Sequence, residues 1–373
     1  MDFEVDFLAV GDGSKSGDAI ALRFGNLSGP REQQRIVVID GGTKDSGEKL
    51  VQLIREYYDP DGVVDLVIST HPDGDHASGL TVVLEKLDVQ RLWMHQPWNH
   101  SEEIHHLFED GRITEDSLDR RLRESLEHAH DLEIQANEKD IQIEEPFSGE
   151  TNYGEHLRVL GPSREFYEEL LPHFRDTPEL TTEASTFMAR FSQAAAAVVE
   201  AVRTVFESWT IETLADPDED ATDQAENNSS AIILLEVDGQ CVLFTADAGV
   251  SALDRAADYA ASIGIDLKTV QKIQIPHHGS KHNVGPTILN RIIGSKLSSS
   301  SSPGVDAKSA IVSVAVEGAP NHPAKKVLNA FKRRGAKCFK TAGKGLRWSS
   351  PGAPDRPGWK TSSSEPLHDR VEE

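Results

Sequence analysis

The stretch Val63-Val64-Asp65-Leu66-Val67-Ile68-Ser69-Thr70-His71-Pro72-Asp73-Gly74-Asp75-His76-Ala77-Ser78-Gly79-Leu80 constrains the fold more than any other part of the chain. Its apolar first half reads as a strand buried on both faces. Leu80, Val83, Leu84 and Leu87 then fall on one helical stripe. Between strand and helix lies a turn that packs two His and two Asp into six residues. Open α/β sheets gather their functional groups at such strand ends. Imidazole and carboxylate together suit a divalent first-row metal ion.

The chain has 373 residues and a formal net charge of -24, which opposes non-specific binding to nucleic acid or to an anionic membrane. Met1-Asp2-Phe3-Glu4-Val5-Asp6 carries acids where a secretory signal has Lys or Arg, and no apolar run approaches a membrane span. A soluble cytoplasmic protein with no membrane partner is expected. Cys241 and Cys338 lie in apolar, strand-like runs and are expected to be free thiols.

Residues 3–10 and 18–24 read as strands around the Gly-rich loop 11–18. That loop lacks the Gly-Lys-Ser/Thr ending of a phosphate loop, and Ile20, Leu22 and Phe24 alternate as a strand, so it is read as a hairpin turn. A buried strand ends in Ile39-Asp40-Gly41-Gly42. Another ends in Trp93-Met94-His95-Gln96-Pro97-Trp98-Asn99-His100, which suits either a pocket wall or an aromatic packing corner. Residues from about 100 to 225 read as a mainly helical insertion, with strand-like character returning at 140–160 around Leu157-Arg158-Val159-Leu160. Its His105, His106, His128 and His130 are scattered on charged helices and are not expected to bind metal. Strands resume at Ser230–Val237 and Gln240–Thr245, joined by Asp238-Gly239. Later strand ends carry Asp247, His277-His278-Gly279-Ser280 and Asn321-His322-Pro323. The main domain is placed at 1–349, and 350–373, rich in Ser, Pro and charge, is expected to be a disordered tail.

These motifs run in an order that resembles the metallo-β-lactamase superfamily, and within it the ComEC-like branch. The matching segments are Val10-Gly11 through Asp18, Ile39-Asp40-Gly41-Gly42, Thr70 to His76, Asn227-Asn228-Ser229-Ser230, Leu243 to Asp247, Pro276 to Ser280, and Asn321-His322-Pro323. The resemblance implies an α/β fold, an αββα sandwich with metals at one edge and a mainly helical insertion. It implies that His71 and Asp73 hold one ion, that Asp75, His76 and either His277 or His278 hold a second, and that Asp247 bridges them. The third histidine of the common pattern is not evident, which implies either that Asn228 substitutes or that the ion there binds weakly. Ala246 occupies a position where Gly is usual.

The expected cofactors are two divalent metal ions, zinc or manganese, sharing a hydroxide that attacks the substrate. Asp75, His322 and Lys281 are the candidate catalytic residues. The leading function is a phosphodiesterase or nuclease acting on a phosphodiester, with single-stranded nucleic acid as a candidate substrate. Lys325-Lys326, Lys332-Arg333-Arg334, Lys337 and Lys340 form the only dense basic run that could guide one. Two other readings stay open: a hydrolase of a small ester, lactone or nucleotide, and a partner-binding module that uses the helical insertion as its interface.

Overall fold

The computed structural model describes residues 1–11, 15–108, 110, 113–181, 204–217, 224–298, 308–317 and 322–373. Two seven-stranded sheets face one another. The first contains β1 (Asp2–Phe7), β2 (Ala19–Gly25), β3 (Gln34–Gly41), β4 (Leu66–Ser69), β5 (Arg91–Met94), β6 (Gln142–Glu144) and β14 (Leu346–Ser349), in the order β14-β1-β2-β3-β4-β5-β6. The second contains β7 (Thr151–Asn152), β8 (Leu157–Gly161), β9 (Ile232–Val237), β10 (Gln240–Phe244), β11 (Lys272–Gln274), β12 (Lys308–Val312) and β13 (Ala336–Lys340), in the order β13-β12-β11-β10-β9-β8-β7. Each sheet pairs antiparallel along one half and parallel along the other, from β3 to β6 and from β10 to β13.

Strand alternation explains the layers. Phe3, Val5 and Phe7 of β1, Ile20, Leu22 and Phe24 of β2, and Leu66 and Ile68 of β4 pack against Val159, Ile233, Leu235, Val242 and Phe244 of the opposite sheet. The alternate residues Ala19, Ala21, Ile36, Val38 and Val67 turn outward to a second core shared with the helices. The result is the expected α/β fold, an αββα sandwich.

Two sequence expectations are corrected. The stretch 100–225 is not a self-contained helical insertion: after helices Glu115–Ser125 and Glu127–Glu138 it supplies β6 to the first sheet and β7 and β8 to the second. The strand-like character read at 140–160 is present, and these short strands join the two sheets instead of staying within an insertion. Its expected helices over 182–203 lie outside the described residues. Residues 350–373 are not a loose tail. Arg356 is buried against Asp6 (2.7 and 2.8 Å) and Glu4 (2.8 Å) on the outer face of β1, and residues 370–372 pair with 204–206. Composition suggests disorder there, but the buried carboxylates of β1 require a cationic partner.

Part of the basic run is paired within the molecule. Arg333 and Arg334 are buried on Glu207 (2.9 Å) and Glu212 (2.7 Å), and Lys332 donates to the Glu365 carbonyl (2.6 Å). Among the described residues no helix is long and apolar enough to cross a membrane, and Cys241 and Cys338 are free thiols.

Candidate metal centre

The carboxyl ends of the parallel strands of both sheets meet at one edge. There β3 delivers Asp40, β4 His71, β10 Asp247, β11 His277 and His278, and β12 Ser313. Helix Gly74–Lys86 begins within the His-Asp turn and brings Asp75 and His76. Its approach to β3 depends on glycine: a Cβ on Gly79 would stand 2.0 Å from the Gly41 carbonyl oxygen, and Gly79 N–H donates to Gly42 (2.8 Å). Asp40, Ala246, His277 and His278 all have positive φ (55°, 45°, 44° and 52°). That left-handed backbone accounts for glycine being the better residue at position 246. Four such residues at one edge mark a strained, over-determined site.

The hydrogen bonds set the direction of each imidazole. Thr70 Oγ1 donates to Asp40 Oδ2 (2.7 Å), so it accepts from His71 Nδ1 (3.0 Å). His76 Nδ1 donates to the same Asp40 oxygen (2.8 Å), and His278 Nδ1 donates to the Ser313 carbonyl (3.0 Å). Asn283 gives its amide nitrogen to the Asp247 carbonyl (3.0 Å), which leaves its Oδ1 to accept from His277 Nδ1 (2.8 Å). In its neutral form each ring therefore presents Nε2 as its lone-pair side. All four Nε2 atoms face the Asp247 carboxylate, at 3.9 Å (His71), 3.5 Å (His76), 3.7 Å (His277) and 3.9 Å (His278).

Lone pairs turned toward a carboxylate repel it unless a cation lies between. His71 Nε2, His76 Nε2, His278 Nε2 and Asp247 Oδ1 are buried with no hydrogen-bond partner, as a metal centre requires. Two donors about 2.0–2.2 Å from a shared ion stand a little over 3 Å apart, close to these separations. Three groups bring their donor atoms within 4.8 Å of one another: Asp40, His71 and His76; Asp75, His76 and His278; Asp18, Asp247 and His278. The residues fit divalent metal.

Electrostatics agree. Burial would lower the His76 pKa, but the Asp247 and Asp40 carboxylates raise it well above 6.5. Burial is likewise outweighed at His278, where Asp247 and Asp75 raise the pKa to about 9. His71 goes the other way, to about 4, through burial and the neighbouring His76. Asp247 sits well below the usual carboxylate range: burial opposes this, and the surrounding imidazoles overcome it. Asp75 is also lowered, burial again being outweighed by His278 and His76. The site is built to attract positive charge.

The structure thus brings His71, Asp75, His76, Asp247, His277 and His278 together. Asp73 lies at the margin: Oδ2 is 3.8 Å from His71 Nε2, while Oδ1 accepts from the Arg175 guanidinium. Asn228 turns away, its Oδ1 accepting from Ala252 N–H (3.3 Å), and Asn227 faces the site instead, 3.2 Å from His277 Nδ1. His322 flanks His277, ring centroids 6.0 Å apart, and Asn321 lies outside the described residues. The Lys281 ammonium donates to the Glu373 carbonyl (2.8 Å) and not to the cluster. None of the candidate metal groups among the described residues includes His105, His106, His128 or His130. The Trp93–His100 segment forms a packing corner, with His95 buried between Tyr167 and Phe147 (4.4 and 4.8 Å between centroids).

Asp18, Asp40 and Arg175 complete the site without having been singled out in the sequence as site residues. Asp18 is buried beside His278 and Asp247, holds Gln274 Nε2 (2.8 Å) and has its pKa raised to about 6 by burial. It stands at the start of β2 after a loop read as a turn, and turn chemistry alone does not separate it from an ordinary Asp. Asp40 carried a usable signal, a buried strand ending in Asp-Gly-Gly.

No curated protein matches the chain by sequence. Among solved structures, the metallo-beta-lactamase fold protein YhfI from Bacillus subtilis aligns at 8% identity and TM-score 0.40, over 94% of this chain and 100% of its own. Zinc-bound PqqB from Methylobacterium extorquens aligns at 12% identity and TM-score 0.40, over 92% and 99%. Residues 31–163 match the family model of the Metallo-beta-lactamase superfamily. That segment holds Asp40 and the whole turn from His71 to His76.

Proposed function

We propose that the protein is a metal-dependent hydrolase that cleaves phosphodiesters with two divalent ions, zinc or manganese. The observation that carries this reading is the convergence of four Nε2 lone pairs on Asp247. Divalent ions supply positive charge for phosphoryl oxygens and acidify water. Asp247, His71, His76, His277 and His278 would hold them, with Asp73 and Asp75 as further oxygen donors. A donor set this rich in carboxylate favours hard or borderline ions and an oxyanionic substrate.

The chain's own residues do the rest. Asp40 and Thr70 lock the His71 and His76 tautomers, and Ser313 and Asn283 lock His278 and His277. The Asp75 side chain is 41% exposed, and His278 and His76 hold its carboxyl below the usual carboxylate range, so it suits a charged oxygen donor better than a proton acceptor. His322, with its pKa lowered to about 4 by burial and by His277, is a neutral ring. It suits donation of an N–H bond to a substrate oxygen better than protonation of a leaving group. On a chain of net charge -24, single strands and short pieces suit the site better than duplex.

The test offers metal-loaded protein single- and double-stranded DNA, RNA, cyclic nucleotides and an aryl phosphodiester, with lactones and β-lactams as controls. Chelator-sensitive cleavage of phosphodiesters, much reduced in His322→Ala, is expected. Turnover of carboxylic esters or lactams alone would reject the reading. Full metal occupancy with no turnover would favour a partner-binding role for the fold.

A further inference from the structure

We infer that Arg175 forms an oxyanion-binding site at the rim of the metal centre, taking a phosphate-type group through its guanidinium; this rests on the phosphodiesterase reading above. Arg175 follows helix Arg164–Leu170 and the turn Leu171–His173, in the part of the chain where the sequence shows no site motif. Its backbone N–H and its Nε both donate to Glu226 Oε1 (2.6 and 3.1 Å), and Nη2 donates to Asp73 Oδ1. Each acceptor belongs to a wall of the site. Asp73 lies between His71 and Asp75 in the ligand turn. Glu226 lies in the turn Ala225–Asn228, whose Asn227 touches His277.

The guanidinium therefore spans two walls beside the ligands and is oriented by both. Its side chain is 45% exposed, and Nη1 makes no hydrogen bond among the described residues. Exposed ion pairs contribute little to stability, so a clamping role accounts poorly for an arginine placed here. A planar, permanently charged fork with donors to spare matches the oxygens of a phosphoryl group. Among the described residues no other Lys or Arg pairs with a candidate ligand, and Lys281 is engaged by Glu373. On a chain of net charge -24, an anionic group arriving at this edge meets its fixed positive charge at Arg175.

The test is calorimetric titration of inorganic phosphate into the metal-loaded full chain, with Arg175→Gln and Arg175→Lys beside the wild type and metal content measured for each. Arg175→Gln is expected to weaken phosphate roughly 10-fold or more at unchanged metal content, and Arg175→Lys to recover part of that loss. Phosphate affinity within about twofold of wild type in Arg175→Gln would overturn the inference. Loss of metal from Arg175→Gln would also overturn it, showing that Arg175 only secures the Asp73 turn. The titration needs no turnover, so failure of the phosphodiesterase reading, seen as hydrolysis of neutral esters alone, is scored separately.

Discussion

His76 Nε2 stands 3.5 Å from Asp247 Oδ1, and neither buried atom has a hydrogen-bond partner among the described residues. One comes from the helix that follows β4 in the first sheet and the other from the end of β10 in the second. The contact is where the two halves of the sandwich meet chemically. A bare imidazole and a bare carboxylate left facing each other in a buried site cost stability unless a proton or a metal ion joins them.

Asp40 acts one step behind this contact. Its Oδ2 accepts from both His76 Nδ1 and Thr70 Oγ1, and Thr70 in turn holds His71. Asp40→Asn keeps the size and tolerates the left-handed backbone there, but an amide nitrogen cannot accept from His76. Metal affinity is expected to fall about 10–100-fold with the fold intact. Chelator competition would measure it, and wild-type affinity would remove Asp40 from the orienting network.

Arg356 anchors the chain's last segment. It is buried on Asp6 and Glu4, which Arg23, Arg347 and Tyr58 also contact. Among the described residues, Arg356→Met leaves the buried Asp6 with only the Tyr58 hydroxyl as a partner, while Glu4 keeps Arg23 and Arg347. The expected loss is about 3–5 kcal/mol of unfolding free energy, read from a urea transition. A loss below about 1 kcal/mol would mean that the segment is held by other contacts.

The ligand turn from His71 to His76 was legible because a buried strand, a burst of ligand-type residues and a helical stripe are consecutive. Asp247, His277 and His278 were legible as strand ends. What escaped depended on the third dimension. Arg175 lies about 100 residues from the turn it contacts, and nothing local distinguishes it from a surface arginine. Likewise Asn227 and Asn228 are adjacent in sequence, and only the packing of Asn228 against Ala252 N–H shows which one faces the site. Arg356 sits in a stretch whose composition reads as disordered, although its partners Glu4 and Asp6 lie in a strand with alternating apolar residues.

His95 gives a pH dependence that is separate from the metal centre. Burial lowers its pKa to about 3 from 6.5, so the folded protein holds the ring neutral. The unfolded chain takes up this proton as pH falls below 6.5. The stability that His95 contributes is therefore whole above that value and is lost progressively toward pH 3, by about 2 kcal/mol at pH 5. His95→Phe preserves an aromatic ring against Tyr167 and Phe147. Between pH 7.5 and 5 the variant is expected to lose about 2 kcal/mol less than wild type. Equal losses would show that His95 does not titrate as its burial requires.

The central claim is that Asp247 and the four imidazoles around it form a metal centre. The direct measurement is metal content by elemental analysis after equilibration with zinc or manganese and removal of free ions, for the wild type and Asp247→Ala, with circular dichroism as the check on folding. The account predicts two ions per wild-type chain and fewer than one in the folded Asp247→Ala variant. A wild type that retains no ion, or a variant that retains both, would contradict it.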